Sequence, residues 1–335
     1  MKIIVTGGSG FIGSHLVKFL IKKKHKVLNI DKLSKYSVNE ALINIKKNHN
    51  YSFKKIDLQN FKKLNAIVLR YKPDAIFNLA AESHVDRSIE QPKNFVKSNI
   101  NSTINLLEIS RNLLNKNKDT LEKFKFIHVS TDEIYGSLNK NKKKFSENSK
   151  INPSSPYSAS KASTDLIVQA WNKTYKLPTI ITNCSNNFGP WQYPEKLMPV
   201  IILKILNKER IPIYGNGKNI RDWIYVLDHV NGLYKILKKG KIGETYNIGT
   251  NNEFQNIDIC KKICKKITKL KKNKFNYLKL IKYVSDRKGH DLRYAINSNK
   301  IKTKLGFRSK YKFENSLDIT IKWYLKHYNW LKNKI

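Results

Sequence analysis

Two periodicities take turns along the chain. Short runs rich in Ile, Val and Phe are followed by stretches in which apolar residues recur every three or four positions, the first suited to buried strands and the second to helices that cover them. Lys2-Ile3-Ile4-Val5-Thr6 opens the series, a helical stretch with Leu16, Val17, Leu20 and Ile21 follows, and Val27-Leu28-Asn29-Ile30 makes a second strand ending in Asp31. Tyr51 to Ile56 reads as a strand, Leu64 to Tyr71 as a helix and Ala75-Ile76-Phe77-Asn78 as another strand. Pro92 begins a helix through Ile100, Ile104, Leu107 and Ile109 to Leu114, and a lysine-rich loop leads to a strand at Phe126, Ile127 and Val129. This alternation predicts an α/β fold on a doubly wound parallel sheet. Further on, Thr179-Ile180-Ile181-Thr182-Asn183 predicts a strand, Ser185 to Pro190 a polar turn, Glu195 to Pro199 the approach to a helix, and Ile211 to Gly217 a strand and turn. Leu317 to Leu331 reads as an aromatic-rich helix suited to core or dimer packing.

Composition narrows the class. The formal charge is +40, from 65 Lys+Arg against 25 Asp+Glu, so nucleic-acid binding must be weighed. The lysines are scattered (Lys22 to Lys24, Lys142 to Lys144, Lys271 and Lys272) and form no single basic arm. A solvated basic surface is therefore expected, with no specific nucleic-acid partner and a general attraction for anionic ligands. There is no apolar run of about 18 residues, and the chain enters a strand without a leader, so no membrane partner and a cytoplasmic location are expected. Cys184, Cys260 and Cys264 form no disulfide framework. Cys260 and Cys264 share a helix face, which suits core packing and would also suit a metal; with no histidine close by in sequence, packing and no metal are expected.

The first strand runs into Gly7-Gly8-Ser9-Gly10-Phe11-Ile12-Gly13 and then a helix. Gly8, Gly10 and Gly13 match G-x-G-x-x-G, and Gly7, Gly10 and Gly13 match G-x-x-G-x-x-G. In a strand–turn–helix context either spacing suits a pyrophosphate at the helix N-terminus, a Rossmann-type signature. Asp31, at the end of the second strand, is placed for an adenosine ribose and disfavours a 2′-phosphate, so NAD is expected over NADP; Lys32 next door slightly weakens that preference. Residues 1–185 then form a dinucleotide-binding domain with later chain returns, and 186–335 mainly a smaller α/β substrate-binding lobe.

Two further stretches carry chemistry. Ile127-His128-Val129-Ser130-Thr131-Asp132-Glu133-Ile134-Tyr135-Gly136 places a hydroxyl and two carboxylates at the end of an apolar strand, where α/β sheets bind ligands. Both acids reach one ligand only if the chain has left strand geometry there; otherwise they are solvated acids on a loop. Ser154-Ser155-Pro156-Tyr157-Ser158-Ala159-Ser160-Lys161 opens a helix with Tyr157 and Lys161 stacked at i, i+4, so that the ammonium is expected to draw the phenol pKa down from about 10. His84 reads as structural. Arg221 and Arg287 suit either a diphosphate clamp or surface ion pairs.

Taken together these residues resemble the extended short-chain dehydrogenase/reductases, and among them the dTDP-glucose 4,6-dehydratases, over nearly the whole chain. The discriminating pieces are Ala80-Ala81-Glu82-Ser83-His84-Val85-Asp86-Arg87-Ser88, Ser130 to Gly136, Asn186-Asn187-Phe188-Gly189-Pro190, Pro194-Glu195-Lys196-Leu197, Ile220-Arg221-Asp222-Trp223 and Gly289-His290-Asp291. Epimerases of the same fold share the glycine turn and the Tyr-Lys pair and lack the Asp-Glu pair. The resemblance implies that Tyr157 takes the proton of the sugar 4-hydroxyl as hydride passes from C4 to NAD, with Thr131 bonded to the 4-oxygen. Glu133 then removes the C5 proton, protonated Asp132 assists departure of the 6-hydroxyl as water, and hydride returns to C6. It also implies cofactor contacts at Phe11, Ile12, Asp31, Lys32, Leu33, Ser34, Asp57, Leu58, Leu79, Ala80, Ala81, Glu82, Ser83, Ser98, Tyr157, Lys161 and Asn187. Nucleotide-sugar contacts are implied at Ser83, Thr131, Asn186, Lys196, Leu197, Pro212, Tyr214, Arg221, Asn256, Arg287 and His290. The implied substrate is dTDP-glucose, with UDP-glucose as an alternative, and the implied assembly a homodimer. Lys288, in place of a usual proline, and Thr250, in place of a usual glycine, depart from the pattern.

Overall fold

The computed structural model describes residues 1–116, 124–139, 141–272 and 275–334. Its strands in chain order are β1 Lys2–Thr6, β2 Lys26–Asp31, β3 Tyr51–Lys55, β4 Ala75–Asn78, β5 Lys125–Thr131, β6 Thr179–Cys184, β7 Asn186–Phe188, β8 Ile211–Tyr214, β9 Ile220–Tyr225, β10 Thr245–Ile248, β11 Glu253–Gln255, β12 Ile281–Val284 and β13 Arg293–Tyr294. Seven of them form one parallel sheet in the order β10-β6-β5-β4-β1-β2-β3. The strands are apolar on both faces because both faces are covered. Ile3, Val5, Phe77 and Ile127 point into one core with Leu16 and Leu20 of α1 (Phe11–Lys22). The residues between them, Ile4, Ile76 and Phe126, point into the other core with Leu64 and Val68 of α2 (Phe61–Tyr71). This period of two, apolar at every position, is what a doubly wound sheet requires.

Two short helices, α3 (Val85–Glu90) and α4 (Pro92–Val96), follow β4, and a π-helical turn at Lys97–Asn101 joins α4 to α5 (Ser102–Lys116). The single helix expected from Pro92 to Leu114 therefore contains one widened turn. The lysine-rich loop expected after it lies largely outside the described residues. Next, α6 (Pro156–Tyr175) opens on a reciprocal Ser155–Ser158 cap with Pro156 in the first turn.

After β6 the chain builds a second sheet, β11-β9-β13 with β7 paired to β9, and a two-stranded pairing of β12 with β8. The helix Val226–Lys239 and then β10 return to the large sheet. The polar turn expected at Ser185 to Pro190 is in part a strand: Asn186, Asn187 and Phe188 pair with Trp223, Ile224 and Tyr225. Its polar side chains hid that pairing, which is made by backbone. The expected Leu317 to Leu331 helix is two, Phe313–Lys326 and Tyr328–Lys332, broken at His327. Leu317, Ile321, Tyr324 and Leu331 are all core residues there, beside Cys260 and Cys264. Among the described residues no helix is long and apolar enough to cross a membrane, and no cluster of three metal-ligating side chains occurs.

Candidate active site

A cleft runs along the carboxyl ends of β1, β2, β4, β5 and β6, and the first turn of α1 forms its floor. Gly7 sits at φ +68°, and a Cβ there would lie 2.8 Å from the Ala80 backbone. A Cβ on Gly13 would fall 2.1 Å from the Gly7 carbonyl oxygen. The turn thus presses helix against strand so closely that only glycine fits, and it leaves the N-terminus of α1 uncapped by any side chain, a natural seat for a diphosphate. Gly13→Ala is expected to cost about 1–3 kcal/mol of stability by overpacking and to lose bound dinucleotide, read by melting and by the nucleotide absorbance of the purified protein.

Asp31 stands at the second strand's end with both oxygens already accepting: Oδ2 from Ser9 N–H at 3.0 Å, Oδ1 from Leu33 N–H at 2.8 Å. A carboxylate has about four acceptor sites, so capacity remains for a ribose. Leu33 itself, at φ +59°, contributes that N–H and is not among the residues that line the cleft. Gly7, Gly10, Phe11, Ile12, Gly13, Lys32, Ser34, Asp57, Leu58, Leu79, Ala80, Ala81, Glu82, Ser83, Ser98 and Asn187 all line it.

At the far end of the cleft the chain leaves β5 as a single 3-10 turn, Asp132–Tyr135. That turn meets the condition set by the sequence: Asp132 and Glu133 follow the strand without being held to opposite faces, and both line the cleft with Thr131, Tyr157, Lys161, Asn186 and Lys196. Asp132 Oδ2, Glu133 Oε2, Ser130 Oγ, Ser185 Oγ and Asn186 Oδ1 are buried there without hydrogen-bond partners. Native interiors rarely leave such groups orphaned, so five on one wall mark a polar ligand's place. These atoms, the glycine turn and Asp31 together fit a dinucleotide lying beside a second polar ligand.

The two acids differ in their surroundings. Burial, with the charges of Glu133 and Asp222, pushes the Asp132 carboxyl well above the usual carboxylate range. Burial raises Glu133 too, but Arg287, Lys196 and Arg221 oppose it with three positive charges. The pair therefore splits into a proton holder, Asp132, and an acid that ionises more readily, Glu133. Asp222 lies 90 positions beyond Asp132, so no local pattern announced it.

The expected depression of Tyr157 is not observed. Burial and the charges of Glu133, Cys184 and Asp132 push the phenol well above its ordinary value, while the Thr131 hydroxyl pulls the other way. Lys161 Nζ donates to the Val129 carbonyl at 3.0 Å. Helical spacing placed the two side chains on one face, and the neighbouring strand decided how the ammonium is held.

The other expected nucleotide-sugar residues lie off this wall. Leu197 packs against the core built around the second sheet, and Pro212, Tyr214, Asn256, Arg287 and His290 are not among the residues that line the cleft. Tyr214 donates to Asp86 Oδ2 at 3.1 Å, Arg287 Nη1 is 3.6 Å from Asp86 Oδ1, and His290 Nδ1 is 2.6 Å from Asp286 Oδ1. Asn256 Oδ1 is a further buried orphan. Arg221 is not a surface residue and has no ion pair among the described residues: 4 % exposed, it donates to the Ile220 and Asp291 carbonyls and stacks on Tyr294 at 4.2 Å. His84 is structural, as expected, its ring capping α3 at Arg87 N–H.

Three cleft residues carried no sequence signal of their role. Arg87 stacks on Tyr36 at 3.8 Å and pairs with Glu82 at 3.3 Å and Glu195 at 3.2 Å, so it clasps the loops after β2 and β4 to the second lobe. Tyr36 and Tyr193 meet ring to ring at 5.1 Å across that same clasp. Arg87 was visible within a motif, but the partners that define its role are distant in the chain.

Residues 4–320 match the model of the GDP-mannose 4,6 dehydratase family. A curated dTDP-glucose 4,6-dehydratase of Escherichia coli is 48% identical over 344 residues, covering 98% of this chain and 95% of its own. The chain belongs to the dTDP-glucose 4,6-dehydratase family. Among solved structures, the Bacillus anthracis dTDP-glucose 4,6-dehydratase in complex with NAD is 42% identical with a TM-score of 0.87, both chains covered fully. The Streptomyces venezuelae dTDP-glucose 4,6-dehydratase, with NAD and a second ligand, is 34% identical with a TM-score of 0.92 over all of both chains.

Proposed function

We propose that this protein dehydrates dTDP-glucose to its 4-keto-6-deoxy form, with NAD held in the Gly7–Gly13 cleft. The observation that carries the reading is the buried Asp132–Glu133 pair, one acid held protonated and the other offset by three cations, on the wall where Tyr157 and Thr131 also stand. Residues 1–185 serve the cofactor, and 186–335 mainly the nucleotide sugar. Asp31, the first-turn amides of α1, and the backbone at Ala80 and Ala81 hold the dinucleotide. Bound there, NAD would supply a reversible two-electron oxidation of the sugar at C4.

The chain's own groups then act in order. Tyr157 takes the 4-hydroxyl proton, and Thr131 donates to the 4-oxygen. The resulting ketone acidifies C5–H. Glu133 removes that proton, and Asp132 delivers its own to the leaving 6-hydroxyl, so water departs across C5 and C6. Return of the two electrons as hydride at C6, with the proton held by Glu133 going back to C5, then closes the sequence at the 4-keto-6-deoxy product. Two adjacent carboxyls suit this because one must be charged while the other is neutral. Lys161, which lines the same cleft, supports the phenolate as a cation.

Incubation with dTDP-glucose is expected to give the alkali-induced absorbance of a 4-keto-6-deoxy sugar, with UDP-glucose turned over more slowly. Faster turnover of UDP-glucose would reassign the base, and a product epimerised at C4 with no solvent deuterium at C5 would replace dehydration altogether. The product's class places the enzyme in deoxysugar formation such as that of rhamnose. Three unpaired buried cysteines are in keeping with the cytoplasm. A homodimer is supported by exposed Val96 and Leu166 on the mutually packed α4 and α6.

A further inference from the structure

The buried polar groups that this chemistry does not use concentrate behind Lys161. Asp165, one helical turn further along α6, is 1 % exposed. Its Oδ1 has no hydrogen-bond partner, and its Oδ2 lies 3.2 Å from the side-chain amide of Asn183 on β6, whose nitrogen faces it in the orientation that satisfies its neighbours. His128 of β5 is fully buried against the same place, its Nε2 lying 3.3 Å from Asp165 Oδ1 and 3.5 Å from Lys161 Nζ.

The hydrogen bonds around His128 fix its tautomer. Thr103 uses its proton on the Asn99 carbonyl at 2.8 Å, so its oxygen accepts from Asn78 Nδ2 at 3.2 Å; Thr6 donates to Asn78 Oδ1 at 2.9 Å. The Asn78 nitrogen is thereby turned toward His128 Nδ1 at 3.1 Å, which must accept. The imidazole proton is on Nε2. Thr164, whose own proton goes to the Lys161 carbonyl at 2.7 Å, accepts that N–H at 3.0 Å. His128 thus offers Lys161 no lone pair. One ammonium hydrogen goes to the Val129 carbonyl, and the other two are left for the cleft that Lys161 lines.

We propose that Asp165 is the counter-charge of Lys161 in the dry core, acting past a neutral His128, and is therefore a positioning residue for the Tyr157–Lys161 pair. The titratable groups facing Lys161 are His128 from β5, Cys184 from β6, and Asp165 and Tyr157 from its own helix. Burial and the Lys161 charge pull His128 down to about 4, and burial pushes the Cys184 thiol up to about 12. Asp165 is the only carboxylate of the four, and it opposes the burial that pulls Lys161 below its ordinary value. A buried cation without a counter-charge loses its proton readily.

The inference rests on the proposed role of Tyr157 and Lys161, and two readouts separate it from that role. Without the Asp165 charge, Lys161 deprotonates at lower pH and the phenolate loses its support there. Asp165→Asn is expected to move the alkaline limb of kcat against pH downward by about one unit or more, with Asp165→Glu restoring it toward the wild-type position. A uniformly slower enzyme with an unmoved limb would show that Asp165 only packs. Melting needs no turnover: the double variant Lys161→Met, Asp165→Asn is expected to melt above Asp165→Asn alone, because it leaves no unpaired buried charge. A double variant that melts at or below the single one overturns the pairing, including where the single variant barely folds. If the wild type does not dehydrate dTDP-glucose, the proposed function fails and the melting comparison still decides the pair.

Discussion

Glu133→Gln is expected to lower product formation by about 10²–10⁴, or roughly 3–5 kcal/mol of barrier, while oxidation at C4 survives. The amide keeps the shape of the side chain and removes its basicity, so the C5 proton has no acceptor. Mixing the variant with dTDP-glucose should therefore show reduced-nicotinamide absorbance that appears and persists, with 4-keto-6-deoxy product forming only at the slowed rate. The pH profile adds a second signature. Glu133 works ionised, and burial raises it against the pull of Arg287, Lys196 and Arg221. Wild-type activity is thus present above that raised pKa and lost as pH falls through it, at a pH higher than for a freely solvated glutamate. The limb should vanish in the variant. Wild-type turnover by Glu133→Gln would remove this residue from the C5 step.

Tyr157→Phe is expected to cost a similar factor of about 10²–10⁴, but earlier in the sequence. Without the phenol oxygen the 4-hydroxyl keeps its proton, so neither reduced nicotinamide nor product appears. Phenylalanine preserves the ring that packs on Phe95 at 6.5 Å, and folding should be unaffected. The two variants therefore stop the reaction on opposite sides of the ketone. If Tyr157→Phe accumulated reduced nicotinamide as Glu133→Gln does, the proton acceptor at C4 would be another group.

Local spacing carried much of this site. The glycine turn, Asp31, the Asp132–Glu133 pair and the Tyr157–Lys161 pair are each contiguous or separated by one helical turn, and strand or helix geometry alone brings such residues together. Three properties were out of reach. Asp222 and Arg221 set the charge around Asp132 and Glu133 from about ninety positions away, through β9. The Arg87 clasp needs Tyr36, Glu82 and Glu195 from three separate loops. Tyr157 shows the limit most clearly, because its spacing from Lys161 predicted a lowered pKa and the desolvation around it produced a raised one.

By itself the sequence determined the sheet, the dinucleotide turn and the identity of the reacting groups, since apolar periodicity and short spacings are properties of a local stretch of backbone. Only the tertiary structure decided which acid keeps its proton, how Lys161 is aimed, and that Asp165 and His128 stand behind it. Those are matters of dielectric and of charge at a distance, and both depend on residues that meet only when the chain is folded.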